Sequence, residues 1–304
     1  MPAPTYAAYA GQLAALGTAT CWAFTALAFD AAARRIGALS LSLIRLVIAF
    51  GFLCLAAWAM RGMALPLDAS PKAWGWLGVS GLVGFTFGDF CLFRAYVLVG
   101  ARLSQLLMAL APPLTAVIGW LLLGETLGGR ALLGMSLTVT GIAWAVLEQR
   151  PATPENDRSS RPSLSGIAMG FGGALGQAGG LVLSKLGMGS YDAVAATQVR
   201  VLAGILGYAV LFTGLRRWGR VGEASRDRRA LGLATVGAFF GPFLGVSLSL
   251  FAVRRIPAGV AASLMALTPI LIIPLVVVLR RERVGLGGIA GAVVAVAGVV
   301  LLFL

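Results

Sequence analysis

The chain contains no histidine. That absence removes Ser-His-Asp chemistry, zinc motifs of the His-Glu type and haem ligation through imidazole. Cysteine is scarce as well. Cys21, Cys54 and Cys91 each lie inside an apolar run, at spacings that fit neither a disulfide framework nor a metal site. No acidic motif resembles a set of metal ligands, so no metal and no cofactor is expected. Charge is the third shortage: 12% of the 304 residues are charged, against about 25% in a soluble domain. There is too little polar side chain here to cover a surface facing water.

What fills the chain instead is apolar. Hydrophobic residues make up 59% of it and mean hydropathy is +0.92. The solvent for most of the surface is therefore lipid. Forty-one glycines agree, because small residues let membrane helices approach closely. The net charge of +13 could suggest nucleic acid, but the basic residues cluster between apolar runs. That placement suits loops beside an anionic membrane face, and no nucleic-acid partner is expected. Met1 to Gln12 carries no basic residue ahead of the first apolar run, so a signal peptide is not expected there.

The chain also says one thing twice. Leu107 to Pro112 reads almost as Leu264 to Pro269, 157 residues later. The same offset pairs Gly84 with Gly241, Gly88 with Gly245, Glu125 with Glu282 and Gly141 with Gly298. Repetition on this scale means two copies of one unit. A membrane span needs about 20 apolar residues. Ten such runs are predicted: 10–30, 38–60, 73–97, 101–123, 129–147, 164–185, 193–214, 230–253, 257–279 and 284–304. The expected organisation is a first five-helix repeat over 1–150, a linker over 151–163 and a second five-helix repeat over 164–304. Five is odd, so the second copy enters from the opposite side. The fold class is then an all-α integral membrane protein, its ten helices forming two inverted repeats.

Fifteen of the 24 Lys and Arg residues fall in or beside the loops after spans 1, 3, 5, 7 and 9. Both termini are therefore expected on the non-cytoplasmic side. Inverted copies can exchange conformations about a midplane site, which is alternating access by symmetry. Both copies are present in one chain, so a monomer suffices.

The sequence resembles the drug/metabolite transporter superfamily in its ten-helix, EamA-type form. The resemblance rests on the five-plus-five repeat and on an Arg early in helix two of each half: Arg45 in Ser42-Leu43-Ile44-Arg45-Leu46, and Arg200 in Gln198-Val199-Arg200-Val201. It rests also on Leu122 to Glu125, with Glu282 at the matching place and Arg280-Arg281 as a departure. Within the superfamily it is most similar to YddG-type exporters of aromatic and other amino acids. That resemblance implies efflux of small amphipathic metabolites across a bacterial-type inner membrane, through a cavity lined by helices 1, 3, 4, 6, 8 and 9. It implies no enzyme activity. The alternative is a proton-coupled efflux transporter for drugs or organic cations.

Asp89 is the sharpest candidate, a carboxylate deep in an apolar run. It could hold a substrate ammonium, carry a proton, or pair with Arg45 or Arg94. Thr18, Trp22 and Thr25 share one face of span one, and Phe85, Gly88, Asp89, Leu92 and Tyr96 share one face of span three. Those faces suit an aromatic amine or amino acid. Gln105 and Gln177 are amides on cavity-lining spans, and Met108 and Met265 are repeat-equivalent, adaptable side chains. Ordinary interhelical packing is the competing reading of these residues. Pro112, Pro242 and Pro269 are expected kink or gating points, as is Pro274. Arg45 and Arg200 read as structural charges, snorkelling or pairing with loop acids, because symmetric placement suits scaffold. Glu125 and Glu282 read as interfacial residues that cap the next helix or pair with Arg130 and Arg283.

Overall fold

The computed structural model describes residues 6–148, 163–272 and 286–303. Among them there is no strand, and nine helices are long and apolar enough to cross a membrane. They are α1 (Tyr6–Ile36), α2 (Ala38–Arg61), α3 (Pro71–Val99), α4 (Leu103–Leu123) and α5 (Gly129–Glu148) in the first half. The second half has α6 (Leu164–Met188), α7 (Ala193–Gly214), α8 (Arg228–Val253), the shorter apolar α9 (Ala258–Ile272) and α10 (Leu286–Phe303). The expected residues Pro274, Arg280, Arg281, Glu282 and Arg283, and all of the linker but Ser163, lie outside the described residues.

Local chemistry sets the helix ends. Ser70 Oγ accepts from Ala73 N at 3.2 Å with Pro71 in the first turn, and Asp192 Oδ1 accepts from Val194 N and Ala195 N at 3.1 and 3.0 Å. Gly37, at φ 78°, makes the one-residue break between α1 and α2. The span predicted over 10–30 runs on to Ile36. Arg34 pairs with Asp30 one turn back at 3.1 Å, and Arg34 and Arg35 end the helix where its dipole favours cations. A polar, charge-satisfied extension leaves no trace in an apolar-run criterion.

The inverted symmetry is visible where the halves meet. Gly134 packs on Gly298 and Gly141 on Gly291, so α5 and α10 are antiparallel. Adding 157 to 134 gives 291, and to 141 gives 298, so each contact is the symmetry image of the other. A Cβ on Gly141 would stand 2.3 Å from Ala295 N, and one on Gly298 2.5 Å from Thr138 N. Only glycine permits this backbone approach.

Two irregularities also obey the offset. The α-helical winding of α3 loosens to π over Leu82–Gly88, and that of α8 over Phe239–Gly245. Helices α4 and α9 are interrupted by turns at Ala109-Leu110 and Ala266-Leu267, just before Pro112 and Pro269. Proline removes a backbone donor at each break. In α9 the Thr268 hydroxyl donates to Met265 O at 2.9 Å, supplying a bond that Pro269 cannot. The lipid-facing exterior carries large exposed apolar side chains such as Leu55, Trp58, Leu121, Val210 and Val293.

Candidate functional site

A cavity of about 470 Å³ lies between the halves, within the usual range for small-molecule sites. Every helix that the resemblance names contributes to its wall: α1 (Trp22, Thr25), α3 (Phe85, Asp89), α4 (Gln105, Met108), α6 (Gln177), α8 (Pro242, Ser249) and α9 (Met265, Thr268). Pro112 and Pro269 line it at the two helix breaks.

Asp89 owes its position to the π segment. It follows directly on Gly88, where that winding ends, and π turns recur at functional sites because they re-aim the side chains that follow. Gly88 lies against Gly176, whose Cβ would meet Gly88 Cα at 2.5 Å. This close approach of α3 and α6 brings the next residue on α6, Gln177, within reach: its Nε2 donates to Asp89 Oδ1 at 3.2 Å. Asp89 Oδ2 accepts from Arg45 Nη2. The carboxylate is 6% exposed.

The arginines depart from the sequence reading. Neither snorkels and neither meets a loop acid; both line the cavity. Arg45 pairs with Asp89 and stacks over the Phe29 ring at 5.2 Å. Arg200 is buried, with its guanidinium over the Phe85 ring at 5.1 Å. The Nε of each has no hydrogen-bond partner among the described residues. Two guanidinium groups thus face one carboxylate, and among the described residues no other acid lines the wall. The cavity is one negative charge short. A chain of three expectations for Asp89 narrows at the same time: its partner is Arg45, whereas Arg94 is exposed on the outer side of α3.

Two predicted residues lie off the wall. Thr18 is fully buried, and its hydroxyl donates to Ala14 O at 2.9 Å and Gly245 O at 3.2 Å, tying α1 to the π segment of α8. Tyr96 stands two turns beyond Asp89, where its hydroxyl accepts from Gln105 Nε2 at 2.8 Å. It orients the amide that reaches the cavity. Thr25, on the same face of α1 as Trp22, does line the wall, and the structure adds Thr115, Ser249 and Thr268, residues whose only sequence signal is a hydroxyl in an apolar run.

Away from the cavity wall, a polar knot ties the two halves together. Glu125 Oε1 pairs with Lys185 Nζ at 2.5 Å, and its Oε2 accepts from Ala258 N at 2.7 Å. Lys185 Nζ donates to Ile256 O at 2.7 Å. Glu125 therefore caps α9, in the other half, where the sequence suggested the helix next to it. The knot joins α4, α6 and α9 on the side opposite the basic loops.

Among the described residues no group of His, Cys, Asp or Glu could hold a metal ion. The profile of the EamA-like transporter family matches residues 9–147 and again 164–304. A Pseudomonas aeruginosa protein described as uncharacterized is 36% identical over 112 residues, 37% of this chain. The matched stretch spans about two fifths of that curated relative, 38% of its length. A crystal structure of a protein superposes with a TM-score of 0.71 at 19% identity, over 96% of this chain and 95% of that one. That likeness concerns the fold.

Proposed function

The chain belongs to the EamA-like transporter family, a family of membrane transporters, and from that premise we propose that it exports amino acids by alternating access about the central cavity. The observation that carries the proposal is the charge pattern of the wall. An α-amino acid is an ammonium and a carboxylate held a few ångströms apart. Asp89 offers the first a partner, and Arg200 and Arg45 offer the second two. The bound carboxylate supplies the negative charge that the wall lacks. Trp22, Phe85, Met108 and Met265 then receive an aromatic or aliphatic side chain.

In this reading the protein sits in a bacterial-type inner membrane with both termini outside the cytoplasm, and works as a monomer. The repeats over 1–150 and 164–304 exchange conformations. The Glu125–Lys185 knot ties the halves on the side opposite the basic loops and must open when the site turns towards that side. Similarity to YddG-type exporters supports aromatic amino acids as the first class to test.

The test is uptake of a labelled amino-acid panel into proteoliposomes, with and without a pH gradient. Uptake without a gradient, strongest for aromatic and large aliphatic amino acids, is expected. Failure of folded protein to move any amino acid overturns the proposal. Uptake of organic cations only under a gradient, lost in Asp89→Asn, replaces it with proton-coupled cation efflux.

A further inference from the structure

A second crevice, of about 240 Å³, lies where the α1–α2 junction, the last turns of α3 and the α7–α8 connection meet. Arg94, Arg217 and Arg220 line it, and no acidic residue does. All three are exposed, and none takes part in an ion pair among the described residues. Arg94 is the telling one. It stands five residues before the end of α3 at Val99, about 7.5 Å along the axis at 1.5 Å per residue. Its neighbour Val97 is 79% exposed, so this side of α3 faces lipid. A guanidinium on a lipid-facing wall is disfavoured when it stays in hydrocarbon. It is stabilised there only by reaching water or an anion near the headgroup level.

The crevice is built for an anion. Ala38, Leu39 and Ser40, the first turn of the 24-residue α2, line the same space, and no side chain caps that helix start. The free N–H groups of a first turn carry partial positive charge. The remaining wall is apolar and continuous with the lipid-facing surface: Phe90, Phe93 and Val97. Nor does the repeat scaffold require these charges. At the 157-residue offset Arg94 corresponds to Phe251, and at the 155-residue offset that relates Arg45 to Arg200, Arg217 and Arg220 correspond to Gly62 and Leu65.

We propose that this crevice binds the phosphate headgroup of an anionic phospholipid, with its acyl chains lying along Phe90, Phe93 and Val97. The apolar wall favours a lipid over a soluble anion, which would leave that wall uncovered. The bound headgroup ties the α7–α8 connection to the ends of α2 and α3, the two helices that carry Arg45 and Asp89.

The experiment is native mass spectrometry of the full chain in micelles containing equal phosphatidylglycerol and phosphatidylcholine. Wild-type protein retains phosphatidylglycerol in preference. Arg94→Gln and Arg220→Gln each lower that retention about fivefold, and together about 25-fold, at the usual worth of one basic residue near a membrane. Arg228→Gln with Arg229→Gln removes two charges from the start of α8, beside that connection but outside the crevice, and retention persists. Equal retention of the two lipids by wild type overturns the proposal whether or not the variants fold. So does an equal loss in the Arg228/Arg229 control. Displacement of the lipid by millimolar inorganic phosphate assigns the crevice to a soluble anion and overturns it too.

Discussion

Replacing Asp89 by Asn tests the charge pattern most sharply. The change is isosteric and keeps one carbonyl oxygen, so the bond from Gln177 can survive while the charge disappears. Two consequences separate. The first is structural: Arg45 is left as an unpaired charge in the protein interior, and breaking such a pair costs about 3–5 kcal/mol. The second concerns substrate. A hydrogen bond to a charged group is worth about 1.5–3 kcal/mol, so losing the ammonium contact lowers uptake efficiency roughly 10- to 150-fold. The double variant Asp89→Asn/Arg45→Gln removes the orphaned charge. It restores thermal stability but not amino-acid uptake. The assay is initial-rate uptake of labelled L-phenylalanine beside its deaminated analogue 3-phenylpropionate, which has the carboxylate alone. Phenylalanine suffers the full loss in Asp89→Asn, and the acid does not. Equal losses for both compounds, or recovery of phenylalanine uptake in the double variant, refute the reasoning.

Other outcomes follow from separate parts of the molecule. Glu125→Gln weakens the knot to Lys185 and Ala258 N, partly buried charge-assisted bonds. It shifts the protein about tenfold towards the state open on the knot's side, read as faster labelling of a Ser249→Cys probe from the side opposite the basic loops. Gly141→Ala sets a Cβ 2.3 Å from Ala295 N and must push α5 from α10, so it lowers stability by about 1–3 kcal/mol. Gly51→Ala, with nothing within 4 Å of its Cβ, leaves the melting temperature unchanged or higher. Outside the membrane, the bond from Tyr191 Oη at 2.8 Å, and Arg61 beside it, hold the Asp68 carboxyl below its usual range. That contribution is present above the unfolded carboxylate value and is lost as pH falls through the lower folded one; in Asp68→Asn the acid side of the stability profile flattens. Burial, then the same bond, pushes the Tyr191 phenol up to about 12. Its contribution is complete below the ordinary phenol value of about 10 and is lost as pH rises towards 12. Absorbance titration shows this late phenolate and its downward shift in Asp68→Asn.

The architecture was legible because lipid imposes a strict code. Apolar runs of span length marked the helices, and a constant offset of 157 marked the symmetry. The same offset paired Gly84 with Gly241 and Gly88 with Gly245, residues inside the two π segments. The winding itself was not legible, since an i→i+5 turn differs from an α turn by one residue and has no composition of its own. Arg45 and Arg200 were read as scaffold because they occupy similar places in the two repeats, 155 residues apart. Symmetry of sequence does not carry over to environment: Arg45 meets Asp89, whereas the counterpart of Asp89 in the second half is Val246. Thr18 was assigned to the cavity from its helical face. A face does not reveal that the Gly245 carbonyl, at the end of a π segment, lies within reach of the hydroxyl. Glu125 was paired with sequence neighbours, and its partner Ala258 is 133 residues away, across the pseudo-two-fold.

The central claim is that the cavity is a site for amino-acid zwitterions. Counterflow tests it without assuming a driving ion. Proteoliposomes are loaded with millimolar unlabelled L-phenylalanine and diluted into trace labelled L-phenylalanine at equal pH on both sides. The account predicts transient accumulation of label, abolished when Asp89→Asn/Arg45→Gln protein replaces wild type. Absence of accumulation with folded wild-type protein, while a preloaded organic cation does drive it, would contradict the account.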